Sequence, residues 1–220
     1  MSQNVGRLAH LLGWCGILMA AGGLMVVATL LHPSRETATT IVASEWRLVA
    51  AHVVYTFAWL LLLLGLPGLY AAHRGGMGRL GLVGFLTAFS GTYLIAVTGN
   101  FGFLAPVLAK QAPAVLESIN QYLPVVIING LAAILFMIGF ALFSVAMVKT
   151  ATLPRWSGVV VAIGAPAHLL GFGIAQLVST AAWPIAILGS LCLGAGLGWA
   201  GYRLWRTPTA SDVLLSGRPT

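Results

Sequence analysis

Side chains that could bind a metal ion are few in this chain, and four of them fall in one short stretch. His32 and Glu36 follow the first apolar run, and Glu45 and His52 lie at the start of the second. Imidazole nitrogens and carboxylate oxygens are suitable ligands for zinc or iron. We therefore predict that these four residues converge at one end of two neighbouring helices. They form either a metal site or a charged cluster with the nearby arginines. The absence of an H-x-x-x-H or H-E-x-x-H spacing favours the charged cluster.

A second candidate is a histidine in the middle of an apolar run. His168 follows Pro166 by two residues, and a proline in a helix removes one hydrogen bond and bends the helix. An imidazole at such a bend could bind haem b or another buried ligand. The structural alternative is a hydrogen bond to a neighbouring helix. His10 and His73 are further haem candidates, but their positions place them at helix ends, and His73 is interpreted more simply as a solvated loop residue.

Polar amides form a third group, in the same half of the predicted bundle as His52. Asn100, Asn129 and Gln176 lie in or beside apolar runs. Together with His52 and His168 they are candidates for a ligand-binding cavity or a polar path. The alternative is that they make hydrogen bonds between helices, worth roughly 0.6 kcal/mol each in membranes.

These side chains must be positioned by helices in a lipid environment, because the chain is nearly free of charge. Only 15 of 220 residues are charged, or 7%, and 59% are hydrophobic. An ordinary soluble domain carries about 25% charged residues. Six apolar runs without Asp, Glu, Lys or Arg are long enough to cross a bilayer core of about 30 Å. The predicted fold is an all-α integral membrane bundle of six transmembrane helices, in one domain over 1–206. The predicted spans are 8–31, 48–70, 80–104, 121–148, 156–179 and 183–202.

The basic residues predict how the bundle is oriented. The helix ends and loops on the side of the termini hold eight Lys or Arg, and those on the opposite side hold three. On the side of the termini they are Arg7, Arg74, Arg79, Lys149, Arg155, Arg203, Arg206 and Arg218. On the opposite side they are Arg35, Arg47 and Lys110. Because cytoplasmic loops are enriched in cations, both termini are predicted to be cytoplasmic. This accounts for the net charge of +7 without nucleic acid.

The connections have predicted structures of their own. Residues 71–79 and 149–155 are interpreted as short cytoplasmic loops, and 32–47 and 105–120 as longer outer loops. Residues 113–122 have apolar side chains at helical spacing, which predicts a short interfacial helix. The polar residues 207–220 are predicted to form a flexible tail. An arginine near the start of each odd-numbered span suggests three helical hairpins in parallel repeat. The enrichment of cations on the cytoplasmic side is an alternative explanation for these arginines.

The composition favours a multi-pass protein of a bacterial plasma membrane, since Ala, Gly, Leu and Val are abundant and only two lysines occur. No motif indicates catalysis, and Cys15 and Cys192 form no C-x-x-C pair. The favoured interpretation is a non-enzymatic protein that binds a lipid or small ligand, or a subunit of a membrane complex. Its partners would be the bilayer and other membrane subunits or a second copy. The alternatives are a redox protein carrying haem b or a metal, and a small permease.

Overall fold

The computed structural model describes residues 2–150 and 154–206, and the predicted tail 207–220 lies outside these residues. The described residues form helices joined by short turns and contain no strand, which confirms the predicted all-α class. Its α-helices are α1 Ser2–Met25, α2 Ala38–Ala43, α3 Glu45–Gly99, α4 Ala105–Gln111, α5 Pro113–Gln121, α6 Leu123–Thr150, α7 Arg155–Leu177 and α8 Trp183–Arg206. Three short 3-10 helices complete the described fold. Val26–Leu30 follows α1, Asn100–Phe103 follows α3, and Thr180–Ala182 precedes α8.

Six stretches of the described residues are long and apolar enough to cross a membrane, as the sequence predicts. They are His10–Leu30, Glu45–His73, Gly75–Gln111, Leu123–Thr150, Arg155–Leu177 and Thr180–Arg206. The largest difference from prediction is in the third, which reaches Gln111 because α4 continues it almost without interruption.

The predicted loop 71–79 is shorter than expected. Most of its residues are helical, so that α3 contains both the second and the third apolar stretch, and the helical conformation is broken at Gly78, where φ is 56° and ψ is −155°. This left-handed conformation is easily adopted by glycine alone. His73 is consequently not a solvated loop residue. It is 1% exposed, and its Nδ1 lies 2.8 Å from the carbonyl oxygen of Leu69.

The long helices pack as antiparallel neighbours in a closed ring. Helix α1 contacts α3 and α8, α3 contacts α6, α6 contacts α7, and α7 contacts α8. Glycines allow the backbones to approach closely. A Cβ atom added at Gly139 would lie 2.1 Å from the backbone nitrogen of Ala88, and one at Gly194 would lie 2.7 Å from the carbonyl oxygen of Gly23. The side of α8 that carries Gly194, Gly198 and Gly201 therefore packs against α1.

At the end of the ring opposite the termini, the short helices form a cap. Ile41 of α2, Leu48 of α3, Ala105 and Ala109 of α4, and Leu116 of α5 make a small apolar cluster there. The helix predicted over 113–122 is confirmed as α5, with Leu116 buried and Glu117 exposed. The cap covers the same end of the bundle to which the end of α1 and the start of α3 bring His32 and His52.

Candidate metal centre

Three of the four predicted metal ligands meet at the capped end of the ring. One ligand atom from each of His32, Glu36 and His52 lies within 4.8 Å of the others. His32 follows the short 3-10 helix that extends α1, and Pro33 prevents that helix from continuing. Glu36 lies in the turn before α2, whose start is fixed by a capping box between Thr37 and Thr40. His52 lies in the second turn of α3.

His32 is almost fully enclosed by aromatic rings. It is 1% exposed, and its ring centroid lies 5.1 Å from that of Phe172 and 5.3 Å from that of His52. Its Nδ1 lies 2.9 Å from the carbonyl oxygen of Pro33. Since a carbonyl oxygen only accepts, Nδ1 carries a hydrogen, and Nε2 of the neutral ring has a lone pair.

That lone pair faces a carboxylate. His32 Nε2 lies 3.1 Å from Glu36 Oε1, and two acceptors at this separation repel one another. A proton or a metal ion must therefore lie between the two atoms. Burial alone would raise the pKa of Glu36. The hydrogen bond from His32 and the positive charges that His32 and His52 carry when protonated outweigh this effect and lower the pKa of Glu36.

The backbone of Glu36 is held by a residue of α7. Its N–H donates a hydrogen bond of 2.8 Å to Oε1 of Gln176. Because an N–H requires an acceptor, this contact fixes which end of the carboxamide is oxygen. The remaining Nε2 of Gln176 is buried and has no hydrogen-bond partner.

His52 supplies a buried nitrogen that is also without a partner. Its Nε2 makes no hydrogen bond, which is costly for a buried polar atom. The ring lies directly on Gly102, where an added Cβ would come within 2.2 Å of Cε1 and Nε2. On its other sides the ring contacts Phe103 and Tyr55. The hydroxyl of Tyr55 is itself 2.6 Å from that of Thr29.

Glu45, the fourth predicted metal ligand, is not part of this group. It forms an ion pair with Lys110 of α4. Glu45 and His52 share a helix face but are seven residues apart, which is about 10.5 Å along the axis. The structure thus brings His32, Glu36 and His52 together and places Glu45 in a half-exposed pair beside them.

Of the five residues predicted to bind a small ligand, only His52 and Gln176 lie at this centre. Asn100 is exposed and accepts a hydrogen bond of 3.3 Å from Thr56. Asn129 is exposed on α6. His168 is 3% exposed between α7 and α8, with Nδ1 3.3 Å from the carbonyl oxygen of Ala186.

Sequence reasoning named Gln176 as a ligand candidate but missed its contact with Glu36, and it missed Gly102 and Trp183 as parts of the centre. Gln176 is 140 positions away from Glu36 in the chain, so no local pattern connects them. Gly102 is one of 27 glycines, and nothing in the sequence distinguishes the one that supports His52. Trp183, whose ring centroid is 6.0 Å from that of His32, begins the sixth predicted span, a position where tryptophan is typical of the membrane surface.

Two imidazoles and one carboxylate are typical of metal sites that keep an open coordination position, such as catalytic zinc and non-haem iron centres. With metal–ligand bonds of about 2.0–2.1 Å, tetrahedral ligand atoms lie about 3.3 Å apart. His32 Nε2 and Glu36 Oε1 already have nearly this spacing. The widest separation in the group is at most 4.8 Å, which side-chain rotation can close.

No protein-family model matches this chain, and neither the curated proteins nor the solved structures that were compared show a significant match. The geometry of the centre therefore carries the functional interpretation.

Proposed function

We propose that this chain is a six-span membrane protein that binds a divalent transition-metal ion, zinc or ferrous iron, through His32, Glu36 and His52. The observation that carries the proposal is that one ligand atom of His52, a residue whose buried Nε2 has no partner, lies within 4.8 Å of ligand atoms of His32 and Glu36. A proton on His32 would stabilise that pair but would leave His52 without a partner. A metal ion satisfies all three ligand atoms at once.

The hydrogen bonds around the centre also favour a metal. The Pro33 carbonyl holds the His32 ring with Nε2 available, and such contacts to the second ring nitrogen commonly orient metal-binding histidines. The backbone N–H of Glu36 is anchored by Gln176. In contrast, His168 lies in a close contact between α7 and α8, where a Cβ atom added at Gly189 would lie 2.1 Å from the backbone nitrogen of His168, so haem binding has less support there.

The proposed orientation places the centre on the outer side of the membrane. The six apolar helices would cross the bilayer, with the more basic end, which carries the termini, in the cytoplasm. Three pairs of antiparallel neighbours are compatible with three hairpins. They are α1 with the first part of α3, the second part of α3 with α6, and α7 with α8. Their equivalence as a repeat stays a prediction, as do a bacterial plasma membrane and a role within a larger complex.

The test is metal content and affinity in mild detergent. The purified protein is stripped with a chelator, reloaded separately with Zn²⁺ and Fe²⁺, and assayed by elemental analysis and titration. We expect one ion per chain, and we expect His32→Ala, Glu36→Ala and His52→Ala each to lose it. His10→Ala, which changes an exposed histidine, is the matched control and should retain the ion. A wild-type protein that takes up no metal, or equal binding by the His52→Ala and wild-type proteins, would refute the proposal.

A further inference from the structure

The carboxamide of Gln176 has a second functional group that the metal ligands do not use. Its oxygen accepts the hydrogen bond from Glu36 N–H, so the buried and unpartnered group is the NH₂. An NH₂ group only donates hydrogen bonds, and its missing partner must therefore be an acceptor. The oxygen of the same carboxamide binds the backbone of a metal ligand, and an acceptor bound at the proposed metal is a partner of this kind.

The charge balance of the centre leads to the same chemistry. A divalent ion with one carboxylate and two neutral imidazoles leaves a net charge of +1. Glu45 does not neutralise it, because Glu45 is paired with Lys110. The nearby guanidinium of Arg47, which is 3.4 Å from the carbonyl oxygen of Leu30, adds positive charge to this end of the bundle. A partly buried uncompensated charge is costly, and one monoanion would remove it.

Resting on the proposed metal site, we infer that its open coordination position takes a small monoanionic oxyanion, with a carboxylate as the simplest example, and that the NH₂ group of Gln176 donates a hydrogen bond to it. The metal contributes one bond to the oxyanion, and Gln176 contributes the directional contact. The centre is then a binding site for an anionic ligand, and a closed structural metal site would have no use for this donor. Gln176 would be both a positioning residue for Glu36 and a ligand-binding residue.

The experiment uses the full-length protein in detergent, loaded with Co²⁺ in place of the native ion. The visible absorption of Co²⁺ depends on its ligands, so the spectrum reports both metal binding and anion binding. Acetate is the probe, and methylammonium at equal ionic strength is the control solute. We expect acetate to change the wild-type spectrum saturably and methylammonium to leave it unchanged.

Two variants separate anion binding from metal positioning. Gln176→Glu keeps an oxygen that accepts the Glu36 N–H but has no NH₂ group, and Gln176→Leu removes both. Gln121→Leu, which changes an exposed glutamine on α5, is the matched control. We expect both Gln176 variants to bind acetate at least about tenfold more weakly, in line with other contacts that support metal centres. Co²⁺ binding should persist in Gln176→Glu even if Gln176→Leu loses it through displacement of Glu36.

The outcomes distinguish this inference from the proposed function. If wild-type protein binds no Co²⁺, the metal site itself is refuted. If it binds Co²⁺ but acetate leaves the spectrum unchanged, the metal site stands and the anion site is refuted. Wild-type acetate affinity in a Co²⁺-loaded Gln176→Glu variant would likewise overturn the role of the NH₂ group.

Discussion

The contact between His52 and Gly102 allows the metal site to be disrupted without removing any of its ligands. A Cβ atom added at residue 102 would lie 2.2 Å from both Cε1 and Nε2 of His52, whereas ordinary contacts begin at 3.4 Å. In Gly102→Ala the imidazole must therefore move by about 1.2 Å, the difference between these two distances. This shift is more than half of a metal–nitrogen bond of about 2.0–2.1 Å. His52 would no longer reach the ion that the other two ligands bind.

The expected result is a large loss of metal affinity with little loss of stability. The new methyl group meets the movable end of a side chain, so the fold can accommodate it. The affinity should fall by at least the roughly 10–100-fold that follows removal of hydrogen-bond partners of metal ligands. Titration of Zn²⁺ against a chromophoric chelator measures the affinity, and circular dichroism on heating in detergent measures stability.

Gly99→Ala is the matched control, three residues earlier in the same segment. Nothing lies within 4 Å of a Cβ atom at Gly99, and its φ of −62° suits alanine. Its metal affinity should equal that of the wild-type protein. If Gly102→Ala is stably folded and also binds Zn²⁺ as the wild-type protein does, His52 is not a ligand in the manner inferred.

Three other outcomes are expected. Metal affinity should fall as the solution is acidified, because the ligands must lose their protons to bind the ion, and the lowered pKa of Glu36 keeps its carboxylate ionised to a lower pH than that of an ordinary glutamate; chelator competition at several pH values measures this, and a flat profile would contradict it. Gly139→Ala should cost about 1–3 kcal/mol, because its Cβ would meet the backbone of Ala88, whereas Gly130→Ala, with open space around it, should be neutral in thermal unfolding. Glu45→Gln should leave metal affinity unchanged, since Glu45 is paired with Lys110, and a marked loss in titration would place Glu45 among the ligands.

The long helices could be predicted from the sequence because a single property determines them. A helix in lipid needs about 20 apolar residues, and uninterrupted apolar runs of that length are visible without any knowledge of packing. The ends were harder to predict. The residues at 71–79 are polar enough to suggest a loop, but the break is confined to Gly78, and the residues on both sides of it are helical.

Part of the candidate site was predictable for a similarly local reason. His32 and Glu36 lie in the short connection between two antiparallel helices, and His52 lies near the start of the second, so chain connectivity alone brings them together. Glu45 is equally close in the chain but pairs with Lys110, which is 65 positions further along. Contacts of this kind depend on the order of the helices around the ring, which hydropathy does not determine.

The position of the centre has a consequence for the whole ring. Helices in lipid gain no hydrophobic stabilisation from packing together, so their spacing depends on close backbone contacts such as that of Gly194 with α1. At the capped end the ligands come from different parts of the ring: His32 follows α1, His52 lies on α3, and Gln176 of α7 holds Glu36. A bound ion would therefore link the end of α1 to α3 directly, and to α7 through the hydrogen bond between Glu36 and Gln176. Removing the ion should then loosen this end first, while the aromatic core around Phe136 and Phe140 stays packed.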